Sequence, residues 1–490
     1  MNWHIILLAI AMCLAAFPAA ALEVRMAADT LTVHADQAPL RDILSYFQNA
    51  GVRIAIDERI NPLITVDFDN REIGDAVKRL LADCDYALSW KSIEGPAGKM
   101  TRLSEILVYK PGDRRELKHL PPPTAATAQA RTSQTNTIVC LKDELLLRMR
   151  PDTTQEQFRN LLLKTGALVL DGIPSLGIYR LRFPPGSDLA AILSGLAKEP
   201  LVSRAEPNQV YRSITPHRGD GNGGIPDTPL TITAGKGPAV AVLDSGLKVD
   251  ASLEKAIVAS LDATSPGQAI SDPVGHGTQM AYIAAGAVSP TGTDPASLAA
   301  APIISIRTMD NQGITSSFSL MQSMVFSLEH GARVISMSWG SENNSQFFND
   351  AILYAQKQGA VMVAAAGNEP TGRPLYPAAL PNVVAVAALT PDGNIWDQSN
   401  YGSFITLAAP GFANLPVGYK GPPGPYGGTS IAAAYTSRAI AQYFAAHPQA
   451  TATEAIQALH KVLSPAPQGT LHPEIPRLTP VTLKNYLNPP

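Results

Sequence analysis

Five short apolar runs dominate the C-terminal half of this chain. They read AVAVLDS (239–245), IISIRTM (303–309), ARVISMS (332–338), AVMVAAAG (360–367) and NVVAVAAL (382–389). Each is rich in Val, Ile and Ala and has no polar alternation, so each must be covered on both faces. Helical stretches lie between them, over 319–330 and 347–358. Continuous apolar strands alternating with helices predict a parallel sheet with helices on both faces, the α/β class.

The ends of these strands carry chemistry-bearing residues. Asp244 closes the first run, where a buried acid is costly unless paired. In a sheet of this kind, ligands bind at the carboxyl ends of the strands. His276 stands in GHGTQMAYIAAG between two glycines that let the backbone turn tightly into a helix. Ser430, in YGGTSIAAAYTSRAIAQYFAA, opens a long helix whose N-terminus supplies free N–H groups and partial positive charge. Asn368, in MVAAAGNEP, follows a glycine at a strand end. Taken singly, these are a turn-capping Asp, a structural His, an N-cap Ser and a turn Asn. Taken together, the order Asp, His, Ser in the contexts DSG, HGT and GTS, with AAGN before the serine, resembles the subtilisin-like (subtilase) serine peptidases over residues 237–465.

That resemblance implies roles. Ser430 is the nucleophile, His276 the general base and acid, and Asp244 the group that holds the imidazole tautomer. Asn368 and the Ser430 N–H are the oxyanion donors. Ser338, Trp339 and Gly340 pair with the substrate backbone and line one wall of the S1 pocket. Residues 364–367, including Ala365 and Gly367, form the opposite wall. No metal takes part, no cofactor is required for catalysis, and a structural calcium site is not legible. Three positions depart from the family pattern: Gln279 for the usual second His after HGT, Tyr282 for a small residue, and Ala434 for the Pro four residues after the serine. They motivate an alternative, a catalytically degenerate binding or scaffolding protein of the cell envelope.

The chain of 490 residues is too long for one ordinary core and divides before this segment. Residues 1–21 contain an uncharged apolar run ending in Ala19-Ala20-Ala21, which reads as a signal peptide. This implies an exported protein, periplasmic, outer-membrane-associated or extracellular. Residues 22–112 show strand and helix patterns, including the stripe Leu40, Ile43, Leu44, Phe47, that predict a small α+β domain. It resembles the short N-terminal domain of secretins and TonB-dependent receptors, which implies an envelope or secretion-system partner. Residues 113–135 are a Pro/Ala/Thr-rich linker.

Residues 136–212 read βαββαβ, a ferredoxin-like order, and end in VSRAEPNQVYR. This segment resembles the propeptide of subtilases and implies a zymogen. Residues 213–236 are Gly-rich and predicted exposed, a place for proteolytic cutting. Residues 466–490, Pro-rich, read as a surface wrap.

The net charge of -3 gives no basic excess for nucleic acid, and three cysteines, Cys13, Cys84 and Cys140, are too few for a disulfide-built fold. Cys84 and Cys140 either pair across domains or stay as buried thiols, the second being the expected state. The metalloprotease, CxxC and phosphate-loop motifs are absent. The expected substrate is a polypeptide, and no membrane span is expected once residues 1–21 are removed.

Overall fold

The computed structural model describes residues 22–95, 98–110, 117–119, 132–135, 138–219, 228–232, 237–265, 267–465 and 469–488. The signal peptide reading at 1–21 and most of the linker reading at 113–135 lie outside these residues. So do 220–227 and 233–236 of the Gly-rich loop. The chain forms two compact units. Among the described residues, one is drawn from 22–119, 149–172 and 181–187, the other from 132–148, 173–180 and 188–488.

The first unit is α+β. β1 (Glu23–Ala27), β2 (Thr30–Pro39) and β4 (Leu63–Glu72) form one antiparallel sheet in the order β1-β2-β4. β3 (Arg53–Asp57), β5 (Asp85–Gly95), β6 (Gly98–Tyr109) and β7 (Leu117–His119) form a second, mixed sheet in the order β5-β6-β3-β7, with β3 and β6 parallel. Helix α1 (Leu40–Asn49) buries the predicted stripe Leu40, Ile43, Leu44 and Phe47. Helix α2 (Ile73–Leu80) buries Ile73, Ala76, Val77 and Leu80 against the same core. Helix α3 (Gln155–Thr165), fixed at its start by a Thr154–Gln157 capping box, also belongs to this unit.

β10 (Leu168–Ile173) falls in the first unit except for Ile173. The second unit begins with β8 (Thr132–Thr135) and β9 (Ile138–Met149) and goes on through most of β11 (Ile178–Arg182) to α4 (Leu189–Leu196) and β12 (Val202–Ser213). The predicted βαββαβ order, β9-α3-β10-β11-α4-β12, is present along the chain. β12 continues into β17 (Ile314–Ser316) by antiparallel pairing of Val210 with Ser316 and Arg212 with Ile314.

The AEPN segment explains why β12 lies there. Asn208 Oδ1 accepts from Phe318 N (3.2 Å) and Ser317 Oγ (3.1 Å) at the start of α6 (Ser317–Glu329). Glu206 accepts from Ser345 Oγ (2.8 Å) and Gln346 N (3.1 Å) at the start of α7 (Gln346–Lys357). Two polar side chains of one strand thus satisfy orphan N–H groups at two helix N-termini, where partial positive charge favours them. Burial pushes the Glu206 carboxyl pKa up, although the bonds to Ser345 and Gln346 oppose this. Replacing both residues with alanine removes caps worth about 0.5–2 kcal/mol each. Urea unfolding of Glu206→Ala/Asn208→Ala on an inactivated background is expected to show a loss of about 2 kcal/mol, summed from two typical caps.

The large sheet is parallel and seven-stranded. Its order is β15 (Ile257–Asp262), β16 (Ile303–Arg307), β14 (Ala239–Asp244), β18 (Ala332–Met337), β20 (Val361–Ala365), β21 (Val383–Leu389), β22 (Leu407–Pro410). β13 (His217–Arg218), β23 (Phe412–Leu415) and β24 (Gly424–Gly427) form a small separate sheet, and β19 (Trp339–Gly340) pairs with β12. Both faces of the large sheet are covered. Val240 and Val242 pack with α5 (His276–Ala285) and α8 (Thr429–Ala446), while Ala239, Ala241 and Leu243 pack with α6 and α7. This is why the strands read as unbroken apolar runs.

The tail differs from the surface wrap read in the sequence. After α9 (Ala452–Val462) it forms α10 (Pro480–Leu487), and Ile475, Leu478, Leu483 and Tyr486 are all buried. A Pro at the first helical position starts α10 rather than ending structure. Among the described residues there is no disulfide, and no helix is long and apolar enough to cross a membrane.

Candidate active site

Asp244 is the last residue of β14, between parallel neighbours β16 and β18. His276 is the first residue of α5, entered through Gly275 in the left-handed region at φ 90°. The Nδ1–H of His276 donates to Asp244 Oδ1 at 2.7 Å, with both side chains 1% exposed or less. The same carboxylate oxygen accepts from Ser245 N at 2.7 Å. With Nδ1 holding the proton, Nε2 keeps its lone pair. Burial by itself would lower the imidazole pKa. The charge of Asp244, the hydrogen bond to it and the charge of Asp272 outweigh burial and hold it above the ordinary value of 6.5.

Asp272 was not legible as a site residue. Its Oδ1 accepts from Ser245 Oγ (2.8 Å) and Gly275 N (2.8 Å), and its Oδ2 from Thr278 N (2.8 Å) and Thr278 Oγ1 (2.7 Å). Ser245 Oγ in turn accepts from Gly277 N at 2.8 Å. One carboxylate therefore ties the turn after β14 to the first turn of α5 and fixes the Asp244–His276 geometry. The available signal was an Asp ahead of a helix start in SDPVGHGT. Gly277 is required by close approach, since a Cβ there would lie 2.3 Å from the Gly246 carbonyl oxygen.

Ser430 is the second residue of α8, fully buried. Its Oγ and His276 Nε2 are both buried and make no hydrogen bond among the described residues, so the structure links Asp244 to His276 but not His276 to Ser430. Such contacts are often long before substrate engages.

Asn368 stands just beyond β20. Its Oδ1 accepts from Thr429 N (2.9 Å) and Thr429 Oγ1 (2.8 Å), while Gly367 N donates to Thr429 Oγ1 (3.2 Å). These bonds aim the amide. Its Nδ2 donates to the Thr215 carbonyl oxygen at 2.8 Å. Gly428 makes room, because a Cβ there would stand 3.0 Å from Asn368 Nδ2.

The chain itself crosses this place as an extended strand. Arg212 and Ser213 pair antiparallel with Gly340 and Trp339, and Ile214 N donates to Ser338 O at 3.0 Å. Beyond Thr215, His217 and Arg218 pair with Gly427 and Tyr426. The backbone of residues 338–340 thus binds an extended peptide. The Trp339 side chain makes none of these bonds. It is fully buried, donates Nε1–H to Leu243 O at 3.0 Å and packs edge-on against Tyr211 at 5.3 Å. Ala365 lies in the core layer shared with α5 and α8, whereas Gly367 adopts φ 107° next to Asn368.

The departures at 279, 282 and 434 leave the Asp244–His276 pair untouched. Gln279 Nε2 donates to Val417 O at 2.7 Å, the Tyr282 hydroxyl donates to Asp250, and Ala434 is buried in α8.

Residues 235–469 match the model of the subtilase family, and residues 126–208 match the fervidolysin N-terminal prodomain. Thermitase of Thermoactinomyces vulgaris is 35% identical over 182 residues, which are 37% of this chain and 65% of thermitase. Subtilisin Savinase of Lederbergia lenta is 30% identical over 211 residues, 42% of this chain and 76% of that protein. The crystal structure of fervidolysin from Fervidobacterium pennivorans, a keratinolytic enzyme related to subtilisin, superposes with a TM-score of 0.56 at 18% identity. It covers 72% of this chain and 62% of that one. The chain thus spans just under two thirds of the length of thermitase and of fervidolysin.

Proposed function

This chain belongs to the subtilase family of subtilisin-like serine peptidases, and from that premise we propose that it is an endopeptidase made as a zymogen, with Asp244, His276 and Ser430 as its triad. The buried 2.7 Å bond between His276 and Asp244, at the carboxyl edge of the sheet, carries this reading. Ser430 Oγ attacks the substrate carbonyl as His276 Nε2 takes its proton. The C–N bond then breaks, the leaving amine receives that proton, and an acyl-enzyme remains. Water, deprotonated by the same imidazole, adds to the acyl carbon, and Ser430 leaves with the proton. Asn368 Nδ2 and the Ser430 N–H hold the oxyanion. That Asn368 already donates to a peptide carbonyl supports its role.

Asn368→Ala is expected to lower kcat by ~10²–10³, the loss found when subtilisin itself loses this donor. Steady-state kinetics on a peptide ester and a peptide amide checks this. A loss below tenfold on both excludes the role.

Residues 136–212 act as the inhibitory module, and maturation cuts within 213–236. The passage of residues 212–218 across the site supports this. Residues 1–21 direct export, and the module at 22–112 contacts an envelope or secretion-system protein. Deleting 22–112 without changing partners or localisation excludes the second of these. The degenerate-scaffold reading is not favoured, since Gln279 and Tyr282 hydrogen-bond to Val417 O and Asp250, Ala434 is buried in α8, and none of the three touches the Asp244–His276 bond.

A further inference from the structure

Two glycines flank the place where the Thr215 carbonyl is held. Gly340 belongs to the strand that pairs with residues 212–213, and Gly367 immediately precedes Asn368. Neither glycine carries a Cβ, so the space between them is open to a side chain. Here one side chain closes it. A Cβ on Gly340 would stand 2.5 Å from Leu375 Cγ, and a Cβ on Gly367 would stand 3.1 Å from Leu375 Cδ2. Leu375 therefore lies against both glycines.

Leu375 is held there by main-chain bonds on both sides. Next to it, Tyr376 and Ser341 exchange backbone hydrogen bonds of 2.8 and 2.9 Å, which moor the chain beside Gly340. Upstream, Asn400 N donates to Gly367 O (2.9 Å), Asn400 Oδ1 accepts from Gly372 N (3.0 Å) and Asn400 Nδ2 donates to Arg373 O (3.0 Å). The Leu375 carbonyl accepts from Ala379 N at 2.9 Å. A side chain moored at both ends is a fixed wall and not a flap.

We propose that Leu375 sets the substrate class of this site: it shortens the slot between Gly340 and Gly367, so the peptidase cuts after small residues (Gly, Ala, Ser, Thr) and rejects Phe, Tyr and Leu there. The inference rests on the peptidase reading above. One methylene in an apolar pocket discriminates by roughly 10–200-fold, so the four carbons of a Leu side chain suffice to exclude a ring.

The test uses the full chain, purified after its own maturation, on two matched peptide amides with Ala or Phe on the acyl side of the cut. Digestion of unfolded casein, with cleavage sites mapped by mass spectrometry, accompanies it. The wild type is expected to favour Ala over Phe by at least about 10² in kcat/KM. Leu375→Gly is expected to raise the Phe-to-Ala ratio by at least about 10², and Leu375→Ala by an intermediate factor. The second variant serves if the glycine loosens the loop. A wild type that prefers Phe, Tyr or Leu overturns the proposal. So does a variant that labels at Ser430 with a fluorophosphonate yet keeps the wild-type ratio. A wild type that neither cuts nor labels overturns the peptidase reading itself, and the proposal with it.

Discussion

Ser430→Ala is expected to lower kcat by on the order of 10⁶, the loss that follows removal of the nucleophile from a triad of this kind. The structure offers no replacement. Thr429, the adjacent hydroxyl, is committed, since its Oγ1 donates to Asn368 and accepts from Gly367 N. The helix N-terminus and the Asn368 donor remain in the variant, so residual rate above the uncatalysed reaction is expected. The same variant is expected to stay full length on storage while the wild type shortens to begin within 213–236. Intact mass and steady-state kinetics on one preparation read both effects. The fold should be unaffected, because Ser430 Oγ makes no hydrogen bond among the described residues.

Asp244→Asn is expected to cost about 10⁴ in kcat. Asp244 accepts from His276 Nδ1–H and so leaves Nε2 free to take the Ser430 proton. An amide NH2 facing the ring favours the opposite tautomer. The substitution also removes the first two of the influences that raise the His276 pKa and leaves burial, which lowers it. The sign follows from the base role. In the wild type the imidazole must be neutral, so kcat/KM falls as pH drops through a pKa above 6.5. In Asp244→Asn the midpoint of this fall is expected to move to lower pH. A midpoint that stays in place would show that another group governs the acid limb.

Much of this was legible in the sequence, for a physical reason. A strand buried on both faces cannot alternate, so β14, β16, β18, β20 and β21 appear as bare apolar runs. β15 did not stand out because it is an edge strand, with Val258 54% exposed and a mixed burial pattern. β22, four residues long, is too short to show a period. Helices α6 and α7 fall within two residues of their expected ranges because Ser316 and Ser345 cap them. The tail was misread because its prolines and polar residues mask a few well-spaced apolar anchors, Ile475, Leu478, Leu483 and Tyr486.

At the candidate site, Asp244, His276, Ser430 and Asn368 are singled out by motif order, since each occupies a strand end or helix start that a glycine marks. Asp272 and Leu375 were not found. Their placement arises from tertiary contacts, a carboxylate bridging two turns and an apolar side chain lying between two glycines, and neither leaves a period or spacing in the chain. Trp339 was read as part of the substrate groove. Its backbone is there, but its ring packs beneath, because an indole this size gains most by full burial with its N–H paired.

The central claim is that Ser430 is an activated nucleophile. Its direct test is to open the wild-type chain by maturation or limited proteolysis, treat it with a fluorophosphonate and map the adduct by peptide mass spectrometry. The account predicts one adduct, on Ser430, that is lost in His276→Ala. Unlabelled Ser430 in the opened wild-type chain, or an adduct on another residue, would contradict it.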